Sequence, residues 1–91
     1  MGTSGLAGLV VVVTGGNGGI GLGMADAMAA AGADIVVWGR NQAKNEAAAE
    51  QLRRHGNRVD ASAVDVTDEH AVDAAFDDAV ETMGRVDSMF A

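Results

Sequence analysis

Short runs of β-branched residues alternate along the chain with longer stretches in which apolar residues return every three or four positions. Leu9 to Val13 is the first run, valine-rich and with no polar face, the pattern of a strand buried on both sides. After a glycine-rich stretch, Ile20, Met24, Ala27, Met28 and Ala31 recur at helical spacing, and Gly32 supplies a stop. Asp34 to Trp38 reads as a second strand. Asn41 can cap a helix running to about His55, with Ala43, Ala47, Ala48 and Leu52 turned inward and Gly56 ending it. Arg58 to Val64 reads as a third strand. Thr67 then caps the most strongly patterned helix, with Val72, Ala75, Phe76, Ala79, Val80 and Met83 on one stripe and Asp73, Asp77, Asp78 and Glu81 toward water. Asp68 and Glu69 fall in its first turn, where the helix dipole favours acids by ~0.3–1 kcal/mol. Gly84 stops this helix, and Val86 to Phe90 begins a fourth strand.

The predicted order is βαβαβαβ, and strands that alternate with helices imply parallel βαβ units. Right-handed crossovers put the first two helices on one face of the sheet and the third on the other. The expected strand order is 3-2-1-4, the first half of a doubly wound α/β sheet. Residues 1–5, small and polar, read as a frayed or artificial start, and residues 6–91 as one partial domain.

Composition narrows the picture. Ninety-one residues make one small domain, and 18 of its apolar residues are alanine, so the core should be thin. Without cysteine there is no disulfide and no thiolate metal site, and His55 and His70 have no partner at ligand spacing, so both read as surface residues. No apolar run approaches the ~20 residues of a membrane span. No secretory leader opens the chain, so a soluble, cytoplasmic protein is expected. A net charge of −7 argues against nucleic-acid binding, which needs lysine and arginine to displace counterions. The acidic excess lies in residues 60–91 and reads as solvated helix faces. Met24, Met28 and Met83 read as core, and Asp26 and Asp34 have no expected role.

The main chemical signal is Thr14-Gly15-Gly16-Asn17-Gly18-Gly19-Ile20-Gly21. It follows a buried strand and opens a helix. A tight turn there demands backbone angles that a β-carbon resists. A pyrophosphate must also approach bare amides at a helix N-terminus. In that setting the signal is stronger than an isolated GxGxxG, although a turn without a ligand would also use glycine. A GxxxxGK[ST] phosphate loop is excluded, because no Gly-Lys pair occurs. Gly16, Gly18 and Gly21 fit GxGxxG, while Gly15, Gly19 and Gly21 fit TGxxxGxG.

The second reading resembles the short-chain dehydrogenase/reductase family. The Asp65-Val66 pair after the third strand agrees with it, and the chain stops, at Arg85-Val86-Asp87-Ser88-Met89-Phe90-Ala91, where that family's Asn-Ala-Gly would begin. The resemblance runs from about Leu6 to Ala91. It implies that Gly15, Asn17, Gly18, Gly19, Ile20 and Gly21 line the pyrophosphate and adenosine ribose of a nicotinamide dinucleotide. Asp65 would accept from the adenine amino group, with Val66 beside it. At the end of the second strand, the position where an NAD enzyme carries a carboxylate for the ribose 2′-hydroxyl is Gly39, and Arg40 and Asn41 follow. A guanidinium there suits a 2′-phosphate, so NADP is expected in preference to NAD. Trp38 is expected to pack within the sheet.

Enzymes of that family transfer a hydride between the cofactor and a carbonyl or alcohol. A Tyr-x-x-x-Lys pair with a serine handles the proton, supported by an asparagine. This chain has no tyrosine, and its one lysine is Lys44. The expectation is therefore the dinucleotide-binding portion of a longer oxidoreductase, without catalysis of its own, completed by its C-terminal half or by a second copy. One helix cannot cover the second face of a four-stranded sheet, and the fourth strand would be a bare edge. The 91 residues alone should be marginally stable and associate. The alternatives are a self-sufficient, non-catalytic dinucleotide-binding module and an interaction domain with no ligand.

Overall fold

A computed structural model of the chain describes residues 5–15 and 17–90. Most of the expected start, at residues 1–4, and Gly16 lie outside the described residues. The elements alternate as the pattern predicts: β1 (Val10–Thr14), α1 (Gly19–Ala30), β2 (Asp34–Gly39), α2 (Gln42–Leu52), β3 (Val59–Ala63), α3 (Glu69–Met83) and β4 (Ser88–Phe90). A single 3-10 turn, Arg53–His55, extends α2.

The four strands form one parallel sheet in the order β3-β2-β1-β4, the expected half of a doubly wound sheet. Val12 stands beside Val36 and Met89, and Val36 beside Asp60. Successive side chains of a strand point to opposite faces, so all four valines of β1 can be buried at once. Val11, Val13, Ile35 and Val37 meet Ala25 and Ala29 of α1 and Ala49 and Leu52 of α2 on one face. Val10, Val12, Val36 and Trp38 meet Val64 and Ala79 and Met83 of α3 on the other. Each fully buried valine or leucine contributes about 1.5–3 kcal/mol, whereas the alanines on the helices contribute far less. They do let α1 and α2 lie close to the sheet.

Several local readings are corrected. The inward face of α2 is Asn45, Ala48, Ala49 and Leu52, and Ala43 and Ala47 are exposed. That set has clean i, i+3, i+4, i+7 spacing once a polar residue is admitted to it. Asp68, not Thr67, caps α3, its carboxylate accepting from the amides of His70 and Ala71. Thr67 instead donates from its amide and hydroxyl to Asp65. The α3 stripe is narrower than expected, because Phe76 and Val80 remain exposed, and Met24 of α1 is exposed as well. β4 starts two residues late. Asp87 occupies that stretch, its amide donating to the Val10 carbonyl and its carboxylate accepting from the Val10 amide. The Arg85 guanidinium and then the Val10 amide hold the Asp87 carboxyl below its ordinary range. Asp26 and Asp34, given no role from sequence, pair with His55 and Arg58.

Candidate functional site

The carboxyl ends of β1, β2 and β3 open into a pocket of about 490 Å³, with the glycine-rich turn on one side and the first turn of α2 on the other. Its walls include Thr14, Gly15, Asn17, Trp38, Gly39, Arg40, Asn41, Lys44, Val64 and Val66. In open α/β sheets ligands bind in this place, outside the carboxyl ends of the strands. Thr14 ends β1, and its hydroxyl donates to the Phe90 carbonyl, closing the β4 side.

The turn is built by backbone geometry. The Gly15 amide donates to the Trp38 carbonyl at 2.8 Å, which fastens the turn across the top of β2. Gly15 has φ +72°, a conformation that a β-carbon would strain. Gly18 is the residue before α1 and offers no side chain to cap it, so the first amides of the helix stay available to an anion. Gly18, Gly19 and Ile20 are exposed around this helix start and Gly21 is half-buried, but none of the four lines the pocket itself.

The other wall is held by Asn45, which is fully buried. Its Nδ2 donates to the carbonyls of Gly39 at 2.9 Å and Ser62 at 3.0 Å, with a longer contact to the Gln42 side chain. Its Oδ1 accepts from Asn17 Nδ2 at 2.9 Å. A β-carbon on Gly39 would stand 2.5 Å from Asn17 Nδ2 and 2.6 Å from Asn45 Oδ1. Any side chain at position 39 would therefore require the Asn17–Asn45 pair to shift.

Arg40 and Asp65 were expected to hold different parts of one ligand, and here they hold each other, at 3.2 Å. Asp65 is more firmly engaged by Thr67. The Thr67 hydroxyl first, then its amide and then Arg40 keep the Asp65 carboxyl below its ordinary range, against partial desolvation. Arg40 is 72% exposed, and surface pairs of this kind contribute little, so its guanidinium can turn toward a ligand. Asn41 accepts from the Lys44 amide and caps α2. Trp38 lies in the core at 1% exposure, as expected, yet also forms part of the pocket floor. Among the described residues, no cluster of acids and histidines could hold a metal ion, and no helix is long and apolar enough to cross a membrane.

The structure thus gathers Gly15, Asn17, Arg40, Asn41 and Val66 around one pocket, with Asp65 against Arg40. Sequence reasoning missed Lys44, Asn45 and Val64. Lys44 was legible as the residue one turn into α2 from Arg40. Asn45 had no signal, because an asparagine at a helical apolar position reads as exposed.

Comparison with known proteins bears on the family and the fold. A family model described as short chain dehydrogenase matches residues 9–91. A short chain dehydrogenase/reductase of Colletotrichum higginsianum is 36% identical over 85 residues, 93% of this chain and 32% of that protein. A sorbose reductase of Schizosaccharomyces pombe is 40% identical over 88 residues, covering 94% of this chain and 34% of the other. The chain therefore spans about a third of the length of these curated relatives. Among solved structures, an NAD+-bound xylitol dehydrogenase superposes with a TM-score of 0.91 at 33% identity, over 93% of this chain and 33% of that one. The L-sorbose reductase of Gluconobacter frateurii, complexed with NADPH and L-sorbose, does so at 0.89 and 37% identity, over 94% and 33%. With the family model matching residues 9–91 and the strand order matching these structures, the chain belongs to the short-chain dehydrogenase/reductase family.

Proposed function

We infer that this chain is the dinucleotide-binding portion of an oxidoreductase that moves a hydride between a nicotinamide cofactor and a carbonyl or alcohol, and that it takes NADP in preference to NAD. The observation that carries the reading is the pocket wall. Among the described residues its charged side chains are Arg40 and Lys44, with the Asp65 carboxylate against Arg40, and Gly39 stands where an acid would meet a ribose 2′-hydroxyl. A 2′-phosphate would be held by charge-assisted hydrogen bonds from Arg40, with Lys44 adding a second positive charge. The pyrophosphate would lie at the uncapped start of α1, beside Gly15, Asn17, Gly18, Gly19, Ile20 and Gly21. Asp65 and Val66 would meet the adenine, and Asn41 would flank the ribose. The bound cofactor supplies the hydride or receives it.

Both cofactors occur among the similar structures, one bound to NAD+ and one to NADPH, so the choice rests on the residues of this chain. The 91 residues contain no tyrosine, and on this reading proton transfer to or from substrate would fall to other residues. A C-terminal half would supply them, while a second copy could cover the exposed sheet face.

The test is a titration of NADPH and NADH against the full-length protein, repeated with Arg40→Ala. NADPH should bind more tightly, and Arg40→Ala should weaken it about tenfold to a hundredfold while leaving NADH unchanged. Equal affinities for the unaltered protein, or tighter NADH, would overturn the cofactor assignment.

A further inference from the structure

A buried amide at the end of the first turn of α2 reaches the glycine turn, which it does not adjoin in sequence. Asn45 is completely buried and, among the described residues, is the one buried polar side chain. Its two amide hydrogens are directed to the Gly39 and Ser62 carbonyls, at the ends of β2 and β3. Its oxygen is thereby left facing Asn17, and it takes the Asn17 amide at 2.9 Å. The side chain is held from two sides, since rotating it would leave its own buried amide without acceptors, even though the Gly39 carbonyl would keep the Val64 amide as a donor. Asn17, only half-buried, is the partner that can move.

We propose that Asn45 is a positioning and specificity-determining residue: it fastens the glycine turn through Asn17, and the same amide pair closes the space over Gly39. This rests on the dinucleotide reading above and deepens it. Two fasteners then fix the turn, the Gly15–Trp38 backbone bond and the Asn17–Asn45 side-chain bond. They present the turn's amides in one arrangement before any ligand arrives, which is what tight binding of a pyrophosphate requires. The second consequence concerns selectivity. Because a β-carbon at position 39 would fall 2.5 Å from Asn17 Nδ2 and 2.6 Å from the bonded Asn45 oxygen, a carboxylate introduced there must displace the amide pair that fastens the turn. Cofactor preference is therefore set by the amide pair as well as by Arg40.

Two measurements on the full-length protein separate this inference from the functional reading beneath it. The first is amide hydrogen exchange without ligand. Asn45→Ala should speed exchange at the Gly15 amide while the α3 amides keep their protection. Uniform acceleration, or none, would reduce Asn45 to a general stabilising role and overturn the proposal. The second is a double-mutant cycle read by NADPH affinity. Asn17→Ala and Asn45→Ala should each weaken binding about five- to tenfold, and the double variant should be no worse than either one. Additive losses would overturn the latch. If Asn45→Ala does not fold, Gly39→Ala serves instead, since it keeps every donor and acceptor but pushes the pair apart. It should reproduce the local exchange change, and an unchanged Gly15 amide would overturn the proposal. Gly39→Asp should bind both cofactors poorly, and a gain in NADH affinity would refute the selectivity claim. A wild-type protein that bound neither cofactor would remove the functional reading, leaving the exchange experiment to decide whether the latch exists.

Discussion

Asp65 has two partners, and they differ in kind. Thr67 is two residues away and engages it through both hydroxyl and amide, whereas Arg40 reaches it across the end of the sheet at 3.2 Å. The carboxyl is held below its ordinary range by Thr67 first and Arg40 second. A carboxylate with a depressed value in the folded state contributes its contacts above the unfolded value and loses them as pH falls through the folded one. The Asp65 turn should therefore persist through the ordinary carboxylate range and loosen only at more acid pH. A carboxyl NMR titration should show the midpoint rising toward normal in Thr67→Ala, and by less in Arg40→Ala. The reverse order would mean that the long-range pair is the stronger. At this scale the sequence exposed the glycines, Arg40 and Asp65, because each is a residue type with a conspicuous chemistry at a conspicuous place. It could not expose Asn45 or the crowding over Gly39, which depend on carbonyls brought together from β2 and β3 only by folding.

Among the elements, the helices show where local pattern suffices and where it does not. Their existence and order follow from period alone. Their exact faces do not, because in an alanine-rich helix several rotations bury similar amounts of methyl surface. The buried side of α2 is marked by Ala48, Ala49 and Leu52, and Ala47 lies outside it. Ala49→Leu should overpack the core and cost about 1–3 kcal/mol, whereas Ala47→Leu should change stability little. Urea unfolding of both variants would reveal a misplaced face if their effects were exchanged. At α3 two adjacent residues are both of capping type, and composition does not choose between them. Backbone angles do: Asp68 has the extended conformation from which its carboxylate reaches two amides. Asp68→Ala should cost roughly 1 kcal/mol of stability in the same assay.

Over the whole molecule, strand order was readable because right-handed crossovers leave few alternatives for parallel strands. The thin cover on the β4 side was legible too, because one helix cannot span the second face of four strands. Met89 and Phe90 are 46% and 39% exposed, and Phe76 and Val80 of α3 also face outward. The 91-residue chain on its own should self-associate in sedimentation velocity, and Met89→Lys should reduce that association, since a charge on an edge strand discourages pairing. A monodisperse 91-residue monomer would contradict this. The placement of β1 at the centre of the order β3-β2-β1-β4 has a further consequence, in time. β1 gains β2 as a neighbour once Gly39 has been made, but its other flank waits for Phe90. At about 5–20 residues per second, a ribosome needs roughly 3–10 s to add the intervening residues. Throughout that interval the most hydrophobic strand of the protein is an open edge on a nascent chain. Any chaperone that shields this protein during synthesis should therefore engage the Val10–Thr14 segment first, and release it when β4 arrives.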